Sequence, residues 1–430
     1  MKIVLIGAGS RIFGRGQVVD VLLAEDLRGR GVHLVLVDTN PDALDAMRRF
    51  AERVKTHLGA DIGIEAIANR RTALQGADYV LTAVSRHRLA LWEQDFRVPL
   101  AHGFRHCLGE NGGPGAIFHA LRSFELILPI CRDIEAACPD ALLLNFTNPE
   151  ARVLYAIGHL TRVKALGLCH GVFSGLDLAC RLLGRRPDDL DIVTAGINHF
   201  YIAVTVRDRR TGADLLPELL DRTLAQPPGA VPPLFRKFAE IFRVFIFPSD
   251  GHIGEYVSWG AEFSGMKWHY AGRECRPVPL IEPTPTNPIE EWAAGRRPLA
   301  EALRPSGESA IDLIKAIELK RDAWIPAVNT LNTGRLIENL PEDAPVEVPA
   351  RIDAGRIIPQ KVGPLPEPFA AMIRTQCTII ALLTEGYRTR SRRLLLEALL
   401  LDPCVNSIQA AEQLLDEMLE LQKDYLPTFS

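Results

Sequence analysis

The most constraining feature of the chain is its opening. Lys2–Ile6 is a short, unbroken apolar run of the kind that a parallel sheet buries on both faces, and it feeds directly into Gly7-Ala8-Gly9-Ser10. A helical stretch through Val18, Val19 and Leu22 follows. A second apolar run, His33–Val37, ends in Asp38, and Asn40-Pro41 then reads as an N-cap with proline at the first helical position. The helix opened there carries Met47, Phe50, Val54 and Leu58 at spacings of three and four, one face for a core. Strand-like residues 79–84, a helix over about 116–137, and strand-like residues 141–146 and 163–168 continue the alternation. Repeated strand–helix units of this kind predict a parallel, doubly wound sheet.

The glycines have a physical reason to stand where they do. Gly7 permits a tight turn, Gly9 lets the backbone approach a pyrophosphate, and the following helix aims its N-terminal amides at the anion. Asp38 is placed to accept from a ribose hydroxyl, which favours NAD over NADP, whose 2′-phosphate it would repel. The fingerprint is imperfect, because Phe13 and Gly14 stand where a compact GxGxxG would have ended. A glycine loop alone is weak evidence. With strand, helix and Asp38 in register it points to dinucleotide binding, with Gly7, Gly9, Ser10, Asp38 and Asn145 as the cofactor-binding candidates.

Three short stretches do not fit an ordinary dehydrogenase. Asn145-Phe146-Thr147-Asn148-Pro149 and Gly167-Leu168-Cys169-His170-Gly171 each follow a predicted strand, where an open α/β sheet binds its ligands. Gly196-Ile197-Asn198-His199-Phe200 comes some thirty residues later. Taken singly, each has a plain reading: an Asn-Pro turn, a buried cysteine, a core histidine. Together, a thiolate and an imidazole can hold one divalent ion and leave positions open for substrate oxygens.

Composition narrows the classes. A chain of 430 residues is expected to form two domains. Its net charge of −4 supplies no broad basic face for nucleic acid or an anionic membrane, and Arg390, Arg392 and Arg393 read as a solvated helix face. Eight cysteines without a CxxC pair are expected to be reduced thiols. No basic leader precedes the first strand and no run approaches the length of a membrane span, so the expected location is the cytoplasm.

The glycine loop, NFTNP, Cys169-His170 and GINHF, in this order, resemble family 4 of the glycoside hydrolases. Gly109–Gly115, Ser249–Tyr256 and Asn339-Leu340-Pro341 extend the similarity over nearly the whole chain. The resemblance implies a Rossmann-type doubly wound parallel sheet over residues 1–175. A lactate-dehydrogenase-like α+β C-terminal domain would follow over 176–430, in a homodimer or homotetramer acting on a small carbohydrate. It also implies hydrolysis of O-glycosidic bonds by redox and elimination: NAD+ takes hydride from C3, a base removes the C2 proton, the C1 substituent leaves, water adds and the ketone is reduced again. On this pattern Cys169 and His199 would be the ligands of Mn2+ or another divalent metal, and Asn148 would hold sugar hydroxyls. His170 would contact the sugar near the scissile bond and assist the leaving group. Asp250 would be the C2 base, with His252 and Tyr256 as alternatives.

The sequence also departs from the family pattern. Trp92 stands where many members carry an arginine used by the phosphosugar enzymes, and Glu110-Asn111-Gly112 replaces a Gln-Glu-Thr stretch. Cys-His-Gly resembles members acting on α-linked uronides, for which Arg86, Arg88, Arg97 and His106 are candidates to meet a carboxylate. An α-galactosidase or α-glucosidase of the same family is the alternative. From other classes, a lactate- or malate-type 2-hydroxy-acid dehydrogenase would leave Cys169-His170 unexplained, and a silent NAD sensor would leave the metal-site residues idle. Further along, residues 202–206 read as a strand, 277–288 as a stiff proline-rich segment, 327–341 as a loop returning to the site, and 394–401 and 410–421 as helices packed on the second domain.

Overall fold

The computed structural model describes residues 1–247, 249–264 and 288–430. Six strands come first: β1 (Lys2–Ile6), β2 (His33–Val37), β3 (Gly63–Ala66), β4 (Tyr79–Thr82), β5 (Leu142–Asn145) and β6 (Lys164–Gly167). They pair in parallel in the order β3-β2-β1-β4-β5-β6. The order reverses between β1 and β4, so a crevice opens at their carboxyl ends. Asn40 caps the helix Pro41–Leu58 by accepting from the amides of Asp42 and Ala43, with Pro41 at its start. Met47, Phe50 and Val54 of that helix are fully buried. The sequence pattern missed β3, an edge strand with no buried residue, and the helix Arg88–Ala101, which carries Pro99 inside it.

The second half adds β7 (Leu190–Ile197), β8 (Phe200–Asp208), β9 (Ile246–Phe247), β10 (Ala323–Leu331), β11 (Pro345–Asp353) and β12 (Arg356–Pro359). These continue the same sheet, antiparallel, in the order β6-β10-β11-β7-β8-β9, with β12 on β11. The join is narrow: Asn329 pairs with Gly167, and Glu347 with Gly196. The expected strand 202–206 lies inside β8.

A boundary at 175 falls within the helix Gly171–Leu183, whose Val172, Ala179 and Leu183 belong to the core formed by β7 and β8. The C-terminal helices Arg392–Leu401 and Ile408–Leu421 correct an expectation. Leu395, Leu399, Leu414 and Met418 pack with Ile117, Leu121 and Phe124 of the helix Gly115–Ala137, so they cover the first half and not the second. The helix Glu367–Thr389 explains how they get there. Its Phe369 and Ile373 are buried in the β7–β8 core, and its Ile379 and Leu383 in the core of the first half. Of the proline-rich run 277–288 only Pro288 is described, and it opens the helix Pro288–Ala293; the rest lies outside the described residues.

Candidate active site

On the cofactor side, backbone geometry sets the shape. Gly7 has φ 90°, and a Cβ there would lie 2.2 Å from the carbonyl oxygen of Ala83. The Gly9 amide donates to Asp38 Oδ2 at 2.8 Å, so the acid at the end of β2 meets the glycine loop. Gly14 is more than a flaw in the pattern: a Cβ on it would stand 2.2 Å from the Ala8 carbonyl oxygen. It performs the close-packing role of a third glycine, two positions later than the compact spacing. Ser10 Oγ accepts from the Phe13 amide where the helix Phe13–Leu23 begins. Asn145, expected on the cofactor side, is hydrogen-bonded within the protein. Its side chain is fully buried, taking a bond from Thr82 Oγ1 and another from the Thr147 amide, so it ties strand ends together inside the protein.

Cys169 follows β6, and His199 is the second residue of the two-residue turn joining β7 to β8, where Ile197 pairs with Phe200. His199 takes a left-handed φ of 64°, and Cys169 Sγ comes 3.2 Å from its Nε2. The sequence motifs, thirty residues apart, are thus brought into contact. Burial, with His252 and His170 nearby, holds the His199 imidazole well below its usual pKa and therefore neutral. Burial, reinforced by Glu347, pushes the Cys169 thiol upward. A neutral imidazole nitrogen aimed at a thiol is a donor set that fits one divalent ion. Among the described residues no cluster of three or more Cys, His, Asp or Glu forms a ready metal site.

Around this pair stand His252, an alternative base on the sequence pattern, and several carboxylates to which the motifs gave no role. The His252 ring packs 4.1 Å from the His199 ring, and its Nδ1 lies 3.1 Å from Glu255 Oε2. Burial opposes the charge on His252, but the hydrogen bond and charge of Glu255 outweigh it and raise its pKa. The other oxygen of Glu255, which is fully buried, accepts from the amides of Glu110, Asn111 and Gly112. Glu110 Oε1 in turn accepts from Asn148 Nδ2 at 3.1 Å and Arg88 Nη2 at 3.0 Å. Glu347 is buried behind the turn, where Oε2 accepts from Asn198 and Asn329. His170 is exposed, with Nδ1 2.9 Å from Glu308 Oε1, and that hydrogen bond raises its pKa.

Asp250 is engaged away from Cys169 and His199. Its two oxygens accept from the amides of Leu234 and Phe235, each at 2.8 Å, so the carboxylate serves the N-terminus of the helix Pro233–Lys237. Among the described residues no hydrogen bond or ion pair joins it to Cys169, His199 or His252. Tyr256 is also committed elsewhere: it is buried, stacks on Phe200 and donates its hydroxyl hydrogen to the Asn198 carbonyl, supporting the turn under His199. Of the four carboxylate-binding candidates, Arg97 is buried on Glu93 and Arg86 lies over the Tyr425 ring. His106 is buried against the Phe96 carbonyl, and burial pushes it down to about 4, leaving it neutral. Arg88 shares a partner, Glu110, with Asn148. Trp92 is buried with Phe96 and Leu108. In the returning loop, Asn329 reaches Glu347, whereas Asn332 spends its amide on its own turn, bonding Ile337, Leu340 and Pro341.

Fold and site together define a doubly wound dinucleotide-binding architecture with a thiol–imidazole pair at the carboxyl edge of its sheet. The model of the family 4 glycosyl hydrolases matches residues 2–183, and that of the family's C-terminal domain matches residues 194–405, so the chain belongs to this family. It is a glycoside hydrolase. The chain is 30% identical to the α-galactosidase of Bacillus subtilis (strain 168), covering 100% of this chain and 99% of that one. It is 27% identical to the α-galacturonidase of the same organism, covering 98% and 97%. Among solved structures, it is similar to a 6-phospho-α-glucosidase from gut microorganisms in complex with NAD and Mn2+. That match has a TM-score of 0.81 at 21% identity, over 100% of this chain and 99% of the other.

Proposed function

We propose that this glycosidase cleaves an α-linked uronide with NAD+ and a divalent ion such as Mn2+, using Arg88 to hold the substrate carboxylate. The observation that carries the uronide reading is the Arg88–Glu110–Asn148 bridge, which sets a half-exposed cation beside the residue expected to hold sugar hydroxyls. Charge-assisted contacts to a carboxylate discriminate strongly against a neutral sugar. When bound, the cofactor supplies hydride removal at C3 and its return, and the ion supplies polarisation of the O2 and O3 hydroxyls.

The chain's own residues do the rest. Cys169 and His199 hold the ion, and the left-handed turn at His199 fixes its direction. Gly7, Gly9, Ser10 and Asp38 shape the NAD+ side. Asn148, held by Glu110, orients the sugar hydroxyls. His252 takes the role expected of Asp250 as acceptor of the C2 proton, because it stands against His199 with its other nitrogen fixed by Glu255. His170 meets the sugar near the scissile bond. All seven described cysteines are free, which suits a reducing cytoplasm, and a homodimer or homotetramer completes the reading.

A second reading, α-galactosidase, is favoured by the 30% identity to such an enzyme, higher than the 27% to an α-galacturonidase. A panel of p-nitrophenyl α- and β-glycosides and uronides, with NAD+, Mn2+ and reductant each omitted in turn, separates the two. Cleavage of an α-uronide that needs both cofactor and metal, without net NADH, is the expected outcome. Preference for the α-galactoside selects the second reading. No cofactor-dependent cleavage of any member overturns both.

A further inference from the structure

The Glu308–His170 contact joins two parts of the fold that no sequence motif connects. Glu308 lies just before the helix Ala310–Glu318, in a strap along the helix Phe13–Leu23. The Ser306 amide donates to Asp20 Oδ1 at 2.8 Å, and its hydroxyl bonds the other Asp20 oxygen. Arg15 Nη1 donates to the Ala302 carbonyl at 3.2 Å. Gly16 lets the strap approach: a Cβ on it would lie 2.8 Å from Ser306 Cβ. Ser306 Oγ then accepts from the Glu308 amide at 3.0 Å. Through Ser306, the backbone of Glu308 is pinned to the helix that follows the glycine loop.

The side chains continue this logic. Glu308 is only 12% exposed while His170 is 71% exposed, so a fixed carboxylate meets a ring otherwise free in solvent. Left alone, such an imidazole samples several rotamers and both neutral tautomers. A carboxylate can only accept, so it selects the form with hydrogen on Nδ1 and leaves Nε2 as the nitrogen facing outward.

We propose that Glu308 is a positioning residue for His170, fixing its ring orientation and its Nδ1–H tautomer from a strap anchored on the cofactor-side helix. This rests on the reading that His170 contacts the sugar. Orientation supplied by a pinned partner needs no rearrangement at the moment of reaction, which is what a pre-organised site requires.

The test compares Glu308→Ala and Glu308→Gln with the unsubstituted protein, each loaded with NAD+ and Mn2+ and given the best substrate of the panel. Glu308→Ala is expected to lower kcat by about 10–100-fold, the usual loss for an orienting partner, with KM, NAD+ affinity and melting temperature little changed. Glutamine keeps the shape but its amide can also donate, so it admits the other tautomer, and Glu308→Gln is expected to fall nearly as far. The double variant with His170→Ala is expected to be no slower than His170→Ala alone. Imidazole 15N spectra read the tautomer independently of turnover, and a single Nδ1–H form is expected to become a mixture in Glu308→Gln. Full kcat in Glu308→Gln, losses that multiply in the double variant, or an unchanged 15N pattern would each overturn the proposal. An unsubstituted protein that cleaves nothing would instead sink the functional reading and leave the 15N test standing.

Discussion

The two sides of the crevice are built in opposite ways. On the side of the glycine loop, Gly7, Gly9, Ser10, Gly14 and Asp38 come from one β-α-β stretch, and each contact there involves a backbone atom. Around the thiol–imidazole pair, Cys169, His199, His252, Asn148, Arg88 and Glu308 come from six separate places in the chain. Buried carboxylates hold them: Glu110 takes Arg88 and Asn148, Glu255 takes His252, and Glu347 takes Asn198. The first kind of site tolerates little change in backbone shape, and apart from Ala83 beside Gly7 its close contacts are local in sequence. The second depends on a few buried carboxylates, of which Glu110 holds two of these residues at once.

The comparison breaks most completely at Cys169. Cys169→Ser is expected to reduce metal-dependent cleavage by at least about a thousandfold, since a Lewis acid contributes several kcal/mol. NAD+ binding, measured by fluorescence titration, is expected to stay within about twofold. Retained cleavage would remove Cys169 as a ligand, and lost NAD+ binding would show that the two sides are not independent. Next in size is Arg88→Leu. Hydrogen bonds to charged groups contribute about 1.5–3 kcal/mol, so the ratio of kcat/KM for the uronide to that for the matching galactoside is expected to fall by roughly 10–100-fold. An unchanged ratio would leave the substrate carboxylate without this partner.

Gly14→Ala tests the other side. Its Cβ would meet the Ala8 carbonyl oxygen, and relieving a contact of 2.2 Å means moving the loop that meets the pyrophosphate. Destabilisation of about 1–3 kcal/mol and weaker NAD+ binding are expected, with metal affinity unchanged. A variant as stable and as tight-binding as the parent would show that the displaced third glycine is incidental.

This asymmetry also explains what was legible in the sequence. β1, β2 and the Asn40 cap were readable because strand burial, glycine turns and capping are decided within a few residues. The Cys169 and His199 motifs were visible, but only folding shows that their side chains meet. The place of Asp250 was not legible, because Pro-Ser-Asp-Gly fits both a base and a turn and its partners Leu234 and Phe235 carry no side-chain signature: the carboxylate bonds their amides. Glu255 meets the amides of Glu110, Asn111 and Gly112, and Glu308 meets His170, across sequence separations of more than a hundred residues that no periodicity encodes. The C-terminal helices misled for a related reason, since an amphipathic pattern says that a face is buried and not against what.

The smallest effect concerns the hub behind His199. Burial raises Glu347 to about 7, against a partial lowering by Asn198 and Asn329, whereas the unfolded carboxyl titrates near 4.5. The folded protein therefore binds more protons than the unfolded chain between those values. The contribution of Glu347 is fully present below about 4.5 and is lost as pH rises through about 7, so it makes the metal-free protein less stable toward neutrality. Glu347→Gln cannot titrate but retains an oxygen for Asn198 and Asn329. Melting temperature followed from pH 5 to pH 8 is expected to decline less steeply in the variant, by about 1–3 °C over the range. Parallel curves would mean that Glu347 stays ionised in the folded state, and that the polar shell behind Cys169 and His199 carries a permanent negative charge.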